Sequence, residues 1–146
     1  MKIERARARQ VKKVAVTVIL IAAVAVAGSL WCNYYFSPAE RAGRELEKLT
    51  KDYYENFFYD LVLKEGGEGV DLAELFAPYE KSGGMQPVLL RQLLLFDSGR
   101  HESSRKEFIN DSYRCDTNTT SVRIKPTAPY GRNDWTAEYN LSCTNG

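Results

Sequence analysis

The first long feature in the apolar and polar pattern is a run with no charge at all, residues 14–31. Lys2, Arg5, Arg7, Arg9, Lys12 and Lys13 precede it, opposed only by Glu4. As a helix rising about 1.5 Å per residue, the run covers roughly 27 Å, close to the hydrocarbon thickness of a bilayer. Trp31, Tyr34, Tyr35 and Phe36 follow where an aromatic belt would meet the membrane surface. The pattern predicts a cytoplasmic basic tail over 1–13, a transmembrane helix over 14–31, an interfacial aromatic linker over 32–36 and an exported domain over 37–146. A cleaved signal peptide has the same ingredients. Ala25-Val26-Ala27 before Gly28 fits small-residue cleavage, and that reading leaves a protein secreted after a cut following Ala27.

Beyond the linker, apolar positions recur at helical spacing. Ser37-Pro38-Ala39-Glu40 supplies an N-cap serine, proline at the first helical position and glutamate at the third. Ala42, Leu46, Leu49, Tyr53, Phe57 and Leu61 then lay one stripe down the helix, which Lys64 and Gly66 end. Tyr53, Tyr54, Phe57, Phe58 and Tyr59 widen that stripe past what one neighbour would cover, so the band is either a core seam or a platform for a partner. Asp71 with Glu74 repeats the capping signature, and Pro78 is expected to hold this second helix to little more than two turns. Residues 88–96, leucine-rich and poor in β-branched side chains, read as a third, buried helix.

From about Phe108 the period becomes two. Trp135, Ala137, Tyr139, Leu141 and Cys143 alternate with Thr136, Glu138, Asn140 and Ser142; Val122 and Ile124 alternate with Ser121, Arg123 and Lys125; Tyr113 and Cys115 make a shorter run. The expectation is a three-stranded antiparallel meander with a possible fourth strand near 106–110. The fold class is thus α+β: a transmembrane helix, then about three helices packed on a small three- to four-stranded antiparallel sheet.

Charge and chemistry refine this picture. The tail holds 6 basic residues and 1 acidic; the rest of the chain holds 14 basic and 18 acidic, a net of −4. An acidic domain argues against nucleic acid as its partner. Cys115 and Cys143 both fall on the inward set of strand positions and are expected to form a disulfide in an oxidising compartment. Cys32 is left over at the outer interface, where it offers a route to a dimer. His101 is the only histidine and there is no CxxC, GxSxG, HExxH or GxxxxGK, so no catalytic residue, metal site or cofactor is predicted. His101 lies beside Ser103 and Ser104 in a charged stretch that reads as a solvated loop. Asn110, Asn118 and Asn140 sit in glycosylation sequons. The connection over 126–134 carries Pro126, Pro129, Tyr130, Gly131 and Arg132; proline stiffness and the interface preference of Tyr and Arg make Tyr130 and Arg132 candidate partner-binding residues, with the Tyr53 to Tyr59 band as the second candidate surface.

The pattern of Cys115-Asp116 and a Thr-rich turn, Val122-Arg123-Ile124-Lys125-Pro126, Pro129-Tyr130-Gly131 and Trp135 through Cys143 resembles the C-terminal module of small single-pass proteins of unknown function encoded by Saccharibacteria. It covers about a third of the chain and implies a bacterial, surface-facing protein without bringing an activity. The order of elements is also similar to that of type IV pilins and pseudopilins, but no Gly-Phe processing site or glutamate stands in the apolar run. The sequence reading is a single-pass membrane protein whose exported domain binds or assembles with an unknown protein at the cell surface. A pseudopilin-like subunit, or a small envelope enzyme using carboxylates, is the alternative.

Overall fold

The structure is a computed structural model that describes residues 2–97 and 104–146, with side chains described for 10–32, 37–97 and 104–146. His101 and its neighbours Arg100, Glu102 and Ser103 lie outside the described residues, as do the side chains of Tyr34, Tyr35 and Phe36. The chain divides into two compact units, residues 1–40 and 41–146.

The first unit is dominated by helix α1, Lys2–Phe36. Within it Gln10–Cys32 is long and apolar enough to cross a membrane, and no part of that stretch is buried by protein. Thr17 and Ser29 donate their hydroxyls to the carbonyls of Lys13 and Ala25, each at 2.9 Å, so these two hydroxyls are satisfied inside the helix. The helix continues through 32–36, the segment expected as a linker, because nothing there breaks it before Ser37, which precedes a proline and is disfavoured in helical conformation. Ser37 then caps the next helix, its Oγ accepting from the Glu40 amide at 3.3 Å.

The second unit is α+β with its helices first. Helix α2, Pro38–Tyr53, buries Ala42, Leu46 and Leu49 as the stripe predicts. Past Leu49 the expected stripe fails. Residues Tyr54–Phe58 form a π turn, closed by the Tyr59 amide donating to the Tyr54 carbonyl, before helix α3, Tyr59–Gly66. A π turn adds one residue to the helical circuit, which rotates everything downstream by about 100°. Phe57 and Leu61, expected inside, are 39% and 38% exposed; Tyr54, Tyr59 and Val62 take their places in the core. The exchange buries two tyrosine rings where a regular helix would bury one phenylalanine and one leucine.

Helix α4, Leu72–Lys81, begins at Asp71, whose side chain accepts from the Ala73 amide at 3.2 Å. It is longer than expected because Pro78 removes one backbone donor without ending the helix. The stop comes at Ser82-Gly83-Gly84, where positive φ at Gly83 lets the Gly84 amide reach back to the Tyr79 carbonyl at 2.8 Å. Residues 88–96 are not one helix. Val88–Leu89 form strand β1, paired with β3, and only Leu90–Phe96 coil into α5. Gln92 holds that boundary, its Oε1 accepting from the Leu89 amide at 2.8 Å.

The sheet also departs from a meander. Strand β3, Ser121–Pro126, pairs antiparallel with β4, Trp135–Asn140, and β1 is the third strand, in the order β1-β3-β4. Strand β2, Tyr113–Cys115, turns away and pairs with β5, Cys143–Asn145, as a separate two-stranded sheet. The run expected as one strand from Trp135 to Cys143 is split at Leu141-Ser142: the Ser142 amide donates to Thr120 Oγ1 at 3.1 Å and its carbonyl accepts from the Asp116 amide at 2.8 Å. Those bonds capture the strand's continuation for the β2 side. The possible fourth strand near 106–110 is instead helix α6, Ser104–Phe108, tied to α2 by Ser104 Oγ donating to Glu45 at 2.5 Å and by Arg41 facing Glu107 at 3.6 Å.

Phe76, Leu90, Leu93, Phe108, Val122 and Ile124 fill the core between these layers. Fully burying such side chains contributes roughly 1.5–3 kcal/mol each before conformational entropy is set against it. Cys115 and Cys143 are directly opposed across β2 and β5 and form a disulfide, with Cα atoms 3.9 Å apart. Cys32 is free and exposed.

Candidate functional site

The two surfaces singled out in the sequence meet in part: the loop of Tyr130 and Arg132 reaches Tyr59 of the aromatic band, and Trp135 at its end reaches Tyr54. The π turn lies against the 127–134 connection, and long-range hydrogen bonds join them. Arg132 is the hub: it donates through one guanidinium nitrogen to the Glu55 main-chain oxygen and through the other to Asp60 Oδ1 at 2.6 Å, with its planar carbon 5.0 Å from the centre of the Tyr59 ring. Arginine alone combines a forked donor with a stacking face, so a single side chain fastens the turn at three points.

Tyr130 works in the opposite direction. It adopts φ +65°, which directs its main-chain oxygen toward the Tyr59 hydroxyl, 3.1 Å away and donating, while its own hydroxyl donates to Glu80 Oε2 at 2.5 Å. The loop is braced internally as well: the Gly131 amide donates to Asp134 Oδ2 at 2.8 Å and the Asp134 amide to the Gly131 carbonyl at 3.0 Å. A Cβ at Gly131 would stand 2.7 Å from Asp134 Oδ2, so a larger residue there would push this carboxylate aside and disturb its bond to the 131 amide. At the far end of the loop Trp135 donates from its indole nitrogen to Glu55 Oε1 at 3.1 Å, and its ring lies 5.6 Å from that of Tyr54.

The aromatic band splits into two parts with different surroundings. Tyr54, Phe58 and Tyr59 face inward, where Tyr59 stacks on Phe76 with ring centres 5.0 Å apart and Phe58 meets Tyr79 edge to face. Phe57 faces outward and gathers with the half-buried Tyr53 and Phe96, at centre separations of 5.0 to 5.5 Å, and Leu95, next to Phe96 in the chain, is 72% exposed. Leu61 is exposed as well, and the π turn is what takes Phe57 and Leu61 out of the core. Glu55 also borders a shallow groove of about 210 Å³ lined by Lys48, Lys51, Asp52, Asn56 and Asp97, below the usual size of a small-molecule pocket.

The ionisable groups report the same contacts. The Arg132 hydrogen bond holds the Asp60 carboxyl below its ordinary range, and the bond to Glu80 raises the Tyr130 hydroxyl. Burial raises the Tyr54 hydroxyl most, with Tyr59, Asp134 and Glu55 adding to the effect. That hydroxyl is buried and has no hydrogen-bond partner among the described residues. Among the described residues no three His, Cys, Asp or Glu side chains gather as metal ligands.

Glu55, Asp60, Glu80 and Trp135 complete this clamp, and sequence reasoning did not find them. Their partners lie 50 to 80 positions away, so no local spacing could reveal them. The available signal was the crowding of five aromatic residues into seven positions, more than a regular helix can turn to one side. Comparison with protein-family models, with curated proteins and with solved structures finds no match to this chain.

Proposed function

We propose that the chain is a single-pass bacterial membrane protein, amino terminus in the cytoplasm, whose residues 37–146 form an exported binding or assembly domain at the cell surface. The observation that carries this reading is the uncharged, protein-free stretch of α1, with six basic residues against one acidic before it and a flank after it in which Arg41, Arg44, Lys48 and Lys51 are matched by Glu40, Glu45, Glu47 and Asp52. A disulfide joining β2 to β5 agrees with an oxidising compartment. The cluster of Tyr53, Phe57 and Phe96, in which Phe57 is exposed and Leu95 beside Phe96 in the chain is exposed too, supports binding as its role, since exposed apolar surface of this kind marks interaction sites. Carboxylates do not favour the enzyme alternative: Glu55, Asp60, Glu80 and Asp134 each accept a hydrogen bond that positions the 127–134 loop.

The test is extraction and protease access. Membranes from the native source, washed at alkaline pH, retain an integral protein, and protease added to intact cells removes residues 37–146 while sparing the basic tail. Release of soluble protein beginning at Gly28 would establish the signal-peptide reading instead. Protection of residues 37–146 in intact cells would reverse the topology.

A further inference from the structure

We propose that the outer edge of β4 is a docking edge for the β4 strand of a second copy of this chain, joining two three-stranded sheets into one. The argument begins with which backbone groups of β4 are used. The register pairs Ser121 with Asn140, Arg123 with Glu138 and Lys125 with Thr136, and the ladder continues with the Thr127 amide donating to the Asp134 carbonyl at 2.9 Å. In an antiparallel pair the hydrogen-bonded positions alternate, so Asn140, Glu138, Thr136 and Asp134 turn their amides and carbonyls toward β3. Val122, Ile124 and Pro126 turn theirs the other way, as the Ile124 carbonyl does in accepting from the Met85 amide at 2.7 Å. It follows that Trp135, Ala137 and Tyr139 present their backbone groups on the side of β4 away from β3.

Nothing takes them up. Among the described residues no strand lies beside that edge, and no backbone or side-chain hydrogen bond reaches the amides or carbonyls of these three residues. The edge is also lightly defended, with Glu138 as its one charge. Protein edges are commonly blunted by lysine, proline or a bulge, and Trp-Thr-Ala-Glu-Tyr-Asn holds neither lysine nor proline and pairs with β3 without interruption. Tyr139 and Leu141 remain 39% and 38% exposed at its end.

Self-complementarity selects the occupant. Around a two-fold axis at Ala137, its amide and carbonyl meet those of the second copy's Ala137, and Trp135 pairs with the second copy's Tyr139. All three outward-facing residues are then bonded. The intervening positions place Thr136 opposite the second copy's Glu138, so no like charges meet, and an aromatic pair forms on the inner face. A slip of two residues in one direction sets Glu138 against Glu138; in the other it strands Tyr139. Closed two-fold pairing of this kind is isologous and stops at two copies.

The test is cross-linking of the full chain in detergent, in a Cys32→Ser background that removes the exposed thiol of α1. Thr136 and Glu138 are exposed and outside the core, so Thr136→Cys and Glu138→Cys leave the fold intact. The expected result is a disulfide-linked dimer when the two variants are mixed under mild oxidation, and far less when either is oxidised alone. Ala137→Pro deletes an amide that β4 does not spend on β3, and is expected to abolish the mixed cross-link with the disulfide and helical signal retained. Equal cross-linking in mixed and unmixed samples, or a dimer unaffected by Ala137→Pro, overturns the proposal. A chain that stays monomeric yet takes up an extended peptide at this edge overturns the assignment of a second copy as the occupant.

Discussion

Arg132 and Asp60 stand 72 positions apart in the sequence and 2.6 Å apart in space. Exposed ion pairs by themselves contribute little to stability, but this guanidinium also bonds the Glu55 carbonyl and covers the Tyr59 ring, so its geometry matters more than its charge. Arg132→Lys keeps the charge and loses the fork. It is expected to lower the melting temperature and shift Trp135 fluorescence nearly as much as Arg132→Ala does. A lysine variant indistinguishable from the parent would reduce the contact to a simple charge pair. Replacing Tyr130 and Arg132 together by alanine is expected to release the loop from the π turn, which thermal melting and Trp135 fluorescence report directly.

Acid should open the same contact. The carboxyl of Asp60 is held below its ordinary value of 3.8 by the Arg132 hydrogen bond. A lowered folded value means that its stabilisation is fully present above 3.8 and is lost as pH falls through the lower folded value. Trp135 fluorescence is therefore expected to stay flat from neutral pH down to about 4 and to change only below it. Asp60→Asn abolishes that acid-side step. A transition near pH 6 that survives in the Asn variant would place the switch elsewhere.

Tyr54→Phe and Tyr59→Phe remove the same atom with opposite expected results. The Tyr54 hydroxyl is buried without a hydrogen-bond partner among the described residues, whereas that of Tyr59 donates to the Tyr130 carbonyl. Deleting an unpaired buried hydroxyl is expected to be neutral or to stabilise by about 1 kcal/mol, and deleting a bonded one to cost about 1 kcal/mol. Denaturant unfolding of the two variants checks the difference. At alkaline pH the raised value of Tyr54 gives stability that is full below 10.0 and is lost as pH rises through the folded value, a loss the Phe variant is expected to lack.

Cys143→Ala is expected to cost about 2 to 5 kcal/mol, the usual loss for a small domain deprived of a native disulfide. The bond closes a span of 28 positions and joins β5, three residues long, to the rest of the unit. Unchanged unfolding in denaturant would mean that the β2–β5 sheet adds nothing to the cooperative core.

Local chemistry carried the sequence reading furthest. Ser37 and Asp71 mark helix starts because their side chains satisfy amides only two or three residues away, and Cys115 and Cys143 share a face because strand periodicity is local too. What was illegible depended on distant partners. Val88-Leu89 reads as helix until β3 is placed beside it, and the run from Trp135 to Cys143 reads as one strand until Thr120 and Asp116 capture Ser142. The clamp was half legible: Tyr130, Arg132 and the aromatic band stood out by type, but their meeting depends on a π turn that no helical spacing announces.

That turn gives the most direct handle on the clamp. Asn56 is exposed within it, and deleting Asn56 removes the extra residue that distinguishes a π turn from a regular one. A π turn leaves the helix after it oriented as in a regular helix one residue shorter, so Tyr59 and Val62 are expected to keep their places in the core when that residue is removed. The deletion is expected to preserve helical content and cooperative unfolding, while Glu55 shifts relative to Trp135 and Arg132 and their hydrogen bonds are lost. Circular dichroism with Trp135 fluorescence separates the two effects. If the deletion unfolds the domain, the π turn is required for the core itself; if Trp135 fluorescence is unchanged, Glu55 does not depend on the turn for its position.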